Sequence, residues 1–177
     1  MIKNQDTQIK NTMPAAFQEA FFTVVPYDER PDFLPSKFDN SIHDSGLFER
    51  ELFKTARHFC EVHEGGFWEI ANVKAETGDT FFMYPATDKP YPLGYYDDED
   101  EQCFDILDNK IFGLIMTLIT LNESSCRSDE EQDFALILSG HEQALYQAIE
   151  GCMVGINDTE QKSQADAMFA LIEKYAE

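Results

Sequence analysis

Basic residues are what this sequence most conspicuously lacks: 13 lysines and arginines stand against 34 aspartates and glutamates in 177 residues, a formal net charge of −21. Such an imbalance argues against binding nucleic acid or an anionic membrane and favours solubility, self-repulsion and basic partners. The deficit is uneven. Through Tyr96 there are 15 acids and 9 bases, whereas from Asp97 onward 19 acids face only 4 bases. Long apolar runs are also missing. The longest, Ile111 to Leu121, is interrupted by Gly113 and two threonines, well short of the roughly 20 residues a membrane span needs, and it reads as a buried helix. The first residues carry no charged, apolar and small-residue succession of an export signal, so a cytoplasmic protein with a flexible leader over residues 1–14 is expected. Cysteine is scarce: the four, at 60, 103, 126 and 152, form no Cys-x-x-Cys pair. They read as reduced, mostly buried thiols rather than a disulfide framework. No phosphate-cradling glycine pattern, nucleophile elbow or His-Glu-x-x-His occurs, and no catalytic residue, cofactor or metal is expected.

What is present fills a core: 43% of the residues are apolar and 13% aromatic, enough for one domain over residues 15–177. The clearest element is a β-hairpin. Runs at Phe67 to Val73 and Thr80 to Tyr84 flank a polar segment in which Gly78 supplies positive φ; Gly65 and Gly66 open the first strand and Pro85 closes the second. Trp68, the only tryptophan, shares a face with Ile70 by the period of two, and that face is the expected floor of the core.

Ahead of the hairpin, Ala15 to Val25 ends as a strand. Pro26, Pro31 and Pro35 then exclude a helix from the next stretch, a loop pinned to the core by Phe33, Leu34 and Phe38. Asp44 or Ser45 caps a helix running to about His63 on Leu47, Phe48, Leu52, Ala56, Phe59 and Cys60. After the hairpin, residues 86–96 read as a loop, Asp97 to Glu101 as a solvated acidic run, and Cys103 to Leu107 as a short third strand. Asn109 caps the buried helix. A capping box at Ser128 to Glu131 starts the next one, which Gly140 is placed to bend or split. Asp158 or Thr159 opens a last amphipathic helix. The expected class is α+β: a small antiparallel sheet built around the hairpin, packed against three to five helices.

Candidate chemistry is thin. His58, Cys60 and His63, with Glu64 beside them, lack the second ligand pair of a structural zinc site and read as the end of a helix. The run at 97–101 lacks the alternate spacing and central glycine of a calcium loop. His141 and Glu142 are adjacent on a helix, point in different directions and read as surface residues. The acid run has a sharper reading. Duplex DNA carries about one negative charge per 1.7 Å of axis, so an acidic surface can compete for the basic groove of a DNA-handling enzyme. A solvated loop that only aids solubility is the competing reading.

Two stretches carry a family likeness. Val25-Pro26, Arg30, Phe33-Leu34-Pro35 and Phe38, then Gly65-Gly66-Phe67-Trp68 and Phe81-Phe82-Met83-Tyr84-Pro85, resemble in order and spacing the ArdB/KlcA-type antirestriction proteins. The likeness spans roughly residues 23–149. It departs from the family pattern at His63, where an aromatic residue usually precedes the double glycine, in the longer segment at Lys74 to Thr80, and at Lys110, where a glycine is usual. The helix over residues 158–177 is an addition. The resemblance implies a non-enzymatic protein of mobile genetic elements that relieves DNA cleavage by type I restriction-modification enzymes. It assigns structural roles to Arg30, Phe33, Leu34, Pro35, Gly65, Gly66, Trp68, Phe81, Met83 and Pro85. Together with the charge distribution it points to Asp97, Asp98, Glu99, Asp100, Glu101, Asp105 and Asp108 as residues facing the restriction enzyme or another basic DNA-handling partner. Direct contact with nucleic acid or membrane is not expected.

Overall fold

The structure, a computed structural model, describes residues 8–60, 63, 65–96, 99, 101–127 and 132–176. Its elements follow the order α1 (Ala15–Phe21), β1 (Phe22–Val24), a 3-10 turn (Tyr27–Glu29), α2 (Arg30–Ser36), α3 (Ile42–Phe59), β2 (Trp68–Val73), β3 (Thr80–Pro85), β4 (Tyr91–Tyr96), β5 (Gln102–Leu107), α4 (Asn109–Arg127), α5 (Gln132–Val154) and α6 (Thr159–Ala176). The α+β class holds, with a three-stranded antiparallel sheet β1-β2-β3 and a second, two-stranded sheet β4-β5.

The hairpin β2-β3 pairs Trp68 with Pro85, Ile70 with Met83 and Asn72 with Phe81. Gly65, Gly66 and Gly78 all have positive φ. Trp68 and Ile70 are buried together, but β3 is buried at every position. The reason is that both faces and the outer edge of β3 are covered. Phe38 and Phe48 pack on Phe81 from one side, and Phe21 and Phe22 pack on Phe82 from the other.

The edge is closed by α4, which is buried continuously from Ile111 to Leu121. An uncovered edge strand leaves backbone donors and acceptors open to solvent or to another chain. Here Thr117 Oγ1 accepts from Met83 N (3.1 Å) and lies 3.4 Å from Met83 O, while Asn109 Nδ2 donates to Pro85 O (2.9 Å). The approach requires Gly113: a Cβ there would lie 2.3 Å from Tyr84 Cβ and 2.4 Å from Met83 O. The helices α3, α5 and α6 pack on the remaining sides of α4, so the core is centred on this helix and the hairpin lies against it.

Several expectations are corrected. Pro26, Pro31 and Pro35 do not exclude a helix: α2 has Pro31 in its first turn, where an N–H lacks an intrahelical partner anyway, and Pro35 near its end, where it removes only one bond. Leu34 and Phe38 are buried as expected. Ser41, rather than Asp44 or Ser45, caps α3, with its hydroxyl accepting from Asp44 N, and the helix stops at Phe59. Asp108, rather than Asn109, caps α4. Residues 91–96 are a strand, and β5 pairs with it instead of extending the hairpin sheet. Pro92 is tolerated because its partner Ile106 turns its carbonyl away from β4, to Lys10 N and Asn11 N, so the missing N–H would have faced outward.

Those bonds also correct the leader. Asn11 O accepts from Asp108 N, Met13 N donates to Asp108 Oδ2, and Met13 is 1% exposed, so residues 10–13 dock beside β5. Helix α5 runs unbroken through Gly140. The capping box at residues 128–131 lies outside the described residues. Among the described residues no disulfide joins any two of the four cysteines, and only Cys60 is buried.

Candidate functional site

The acidic residues singled out in the sequence fall into three groups. Asp97, Asp98 and Asp100 lie outside the described residues; Glu99 and Glu101 are exposed, in the connection between β4 and β5. Asp105 is turned toward α6: its Oδ2 lies 2.7 Å from both Lys174 Nζ and the Tyr175 hydroxyl, and the Lys174 ammonium sits 3.1 Å from the centre of the Tyr95 ring. Burial, and then the bond to Asp105, push the Tyr175 hydroxyl pKa far up, so it stays a donor. Asp108 is 3% exposed, with its carboxylate turned into the fold. Its two oxygens accept from Met13 N and Ile111 N, each at 2.7 Å. Burial raises its pKa, opposed by those two bonds. Of the four described acids among the seven, Glu99 and Glu101 are the exposed ones.

The other candidates change as well. His141 is partly buried rather than a free surface residue: one ring nitrogen lies 3.0 Å from Thr80 Oγ1 and the other 2.7 Å from Lys37 O, which ties α5 to the hairpin and to the end of α2. Its neighbour Glu142 accepts from Asn122 Nδ2 on α4. Since α3 ends at Phe59, His63 does not belong to its last turn. It is buried edge-on against Trp68 (5.5 Å) and near Tyr91 and Phe112, with neither ring nitrogen partnered. Among the described residues no three His, Cys, Asp or Glu side chains converge on a metal-sized site, and no helix is long and apolar enough to cross a membrane.

Six of the ten motif residues gather in one place. Arg30 donates through Nε to Val25 O (3.0 Å), pairs through Nη2 with Glu69, and lies between the rings of Tyr27 and Phe67, at 5.7 and 5.1 Å. It clamps the start of α2 to β2. Arg30, Leu34, Pro35, Gly66, Trp68 and Met83 line one cleft of about 510 Å³ between α2, α3 and the hairpin. Glu49 of α3 projects into the same cleft, and burial raises its carboxyl pKa. Sequence reading missed Glu49, because nothing in an acid at an ordinary helical position announces that the fold will desolvate it.

No protein-family model matches the sequence, and no curated protein matches it. A solved structure does. It is described as one of the KlcA and ArdB proteins, with a novel fold and antirestriction activity against type I DNA restriction systems in vivo but not in vitro. The match covers 85% of this chain and 96% of that one, with a TM-score of 0.60 at 20% identity. The chain has the KlcA/ArdB fold. At that identity the backbone arrangement is shared while most side chains differ, so the chemistry of the KlcA/ArdB fold in this chain rests on its own residues.

Proposed function

We propose that the chain is an antirestriction protein, acting without catalysis to relieve DNA cleavage by type I restriction-modification systems. The observation that carries this reading is the KlcA/ArdB fold, matched over nearly the whole of a structure described as having that activity. The charge supports the same direction. Residues from Asp97 onward hold 19 acids against 4 bases, and the densest run precedes β5, which is bonded to residues 10–13 and to α6. A carboxylate-rich connection on a fixed base suits a basic, DNA-handling surface by charge complementarity, which favours encounter more than tight binding.

The test is phage plating on a host with an active type I system, with and without the protein. Expression is expected to raise plating of unmodified phage, and equal plating would overturn the reading. A variant with Asp97 to Glu101 changed to asparagine and glutamine tests the acidic contact: relief should fall, and relief equal to the parent would remove the run from the mechanism. The assay is made in cells because the neighbour's activity is described as present in vivo and not in vitro.

A further inference from the structure

The cleft between α2, α3 and the hairpin has three properties that the packing of the fold does not require. First, its rim carries large apolar side chains left in solvent: Tyr27 is 74% exposed, Ile42 79% and Phe67 54%. Single exposed apolar residues are ordinary, but three around one concavity form the kind of patch that marks a contact site. Second, Glu49 stands half-buried in it, and no described residue offers it a cation or a hydrogen bond; burial is the only influence on its titration. A carboxylate taken out of water without a partner is costly, and an arriving cation offsets that cost. Third, Arg30 satisfies Nε and Nη2 within the fold but leaves Nη1 buried and unpartnered. Its guanidinium lies beside the two exposed rim rings, so rotation of Tyr27 or Phe67 would open Nη1 to an incoming carbonyl. The nearby sequence adds exposed Asp28, Glu29 and Asp32.

We propose that this cleft docks a segment of a protein partner that presents a lysine or arginine beside an apolar residue. The cation pairs with Glu49, the apolar side chain covers Tyr27, Ile42 and Phe67, and a backbone carbonyl of the segment meets Arg30. A cavity of about 510 Å³ accommodates two or three residues of such a segment, within the usual range for built binding sites. An acidic peptide would meet the negative rim and leave Glu49 uncompensated. None of the residues lining this cleft belongs to the sequence run 97–101.

Trp68 lines the cleft and is the only tryptophan, so its emission reports occupancy. The probes are three blocked molecules: leucyl-arginyl-leucine amide, leucyl-glutamyl-leucine amide and arginine amide alone. The first is expected to change Trp68 emission saturably, at least about tenfold more tightly than either of the others. Glu49→Gln should weaken the arginine peptide about tenfold. Gly46→Phe should abolish its binding. A Cβ at Gly46 meets no atom within 4 Å, so the ring fills the cleft without displacing the fold, which circular dichroism checks. The proposal is overturned by the absence of a saturable response to the arginine peptide, by equal binding of the glutamyl peptide, or by affinity unchanged in Glu49→Gln. Equal binding of arginine amide would also overturn it, showing a small-cation site instead of a docking site. None of these outcomes depends on phage plating, so the cleft and the antirestriction reading stand or fall separately.

Discussion

The two sheets are alike in being short and antiparallel, yet they are held by opposite means. The β1-β2-β3 sheet is enclosed: aromatic rings cover both faces of β3, and Thr117 and Asn109 of α4 bond its outer edge. The β4-β5 sheet is enclosed only at one end. Tyr91, Leu93 and Leu107 are buried, whereas Tyr96 and Gln102 at the other end are exposed. It is fastened by backbone bonds to residues 10–13 and by Asp105 to α6. The first sheet is therefore fixed by enclosure, and the second by polar bonds at its periphery. Buried apolar contact is hard to vary without loss; peripheral polar fastening tolerates change, which is where a surface that must suit a partner is best placed.

The sharpest break of this contrast is Gly113→Ala. Its new methyl group would overlap the backbone of Met83 and Tyr84, so α4 would have to withdraw from β3 and give up the bonds to Met83 as well. We expect a loss of about 3 kcal/mol or more, at or above the upper end for overpacking, read by urea denaturation at pH 7. A loss below about 1 kcal/mol would mean that the edge contact is loose and the enclosed sheet is not the rigid half.

Asp108→Ala tests the joint between the two regions, since that carboxylate holds both Met13 N and Ile111 N. Losing a helix cap and leaving a buried N–H unmatched should cost about 2–3 kcal/mol. Asp108→Asn keeps one acceptor and should cost less, in the same denaturation measurement. If the two variants were equal, the cap would not be what Asp108 contributes.

A pH titration gives a smaller and directional effect. Burial lowers the pKa of His141, outweighing the bond to the Lys37 carbonyl that raises it, and burial likewise lowers that of His63. The unfolded chain protonates these rings below about pH 6.5 while the folded chain resists, so their contribution is intact above that pH and declines as pH falls toward the folded values. Thermal melts between pH 7.5 and 5.5 should show stability falling on the acid side, and His141→Gln should reduce that slope. An unchanged slope would place His141 in a solvated setting.

What could be read in advance follows from the same contrast. The hairpin was legible because Trp68, Ile70 and the flanking glycines and proline act locally, and α4 because an apolar run from Ile111 to Leu121 has nowhere to go but the core. The second sheet was not. Pro92 and Gly94 look like loop residues until the pairing with Ile106 and Phe104 is known, and residues 10–13 dock through backbone groups that no side-chain pattern reveals. The acids illustrate the limit most plainly. Asp108, Asp105 and Glu49 are chemically similar in the sequence, yet one is a buried cap, one is fastened to Lys174 and one is desolvated in a cleft. Their differences arise from chain segments distant in sequence, 95 residues for Asp108 and Met13 and 69 for Lys174 and Asp105.

The mildest substitution bears on the second sheet itself. Asp105→Asn keeps an oxygen near Tyr175 and removes the charge that faces Lys174, a pair that is partly exposed on both sides. Such pairs contribute little, so a loss of about 0.5–1 kcal/mol is expected, diminishing further at high salt. Lys174 would still lie over Tyr95, which limits the change. If the loss instead approached that of Asp108→Ala, the β4-β5 sheet would depend on α6 as fully as β3 depends on α4. The helix over residues 159–176 would then be a necessary support of the second sheet, and its removal would be expected to disturb the pairing of β4 with β5.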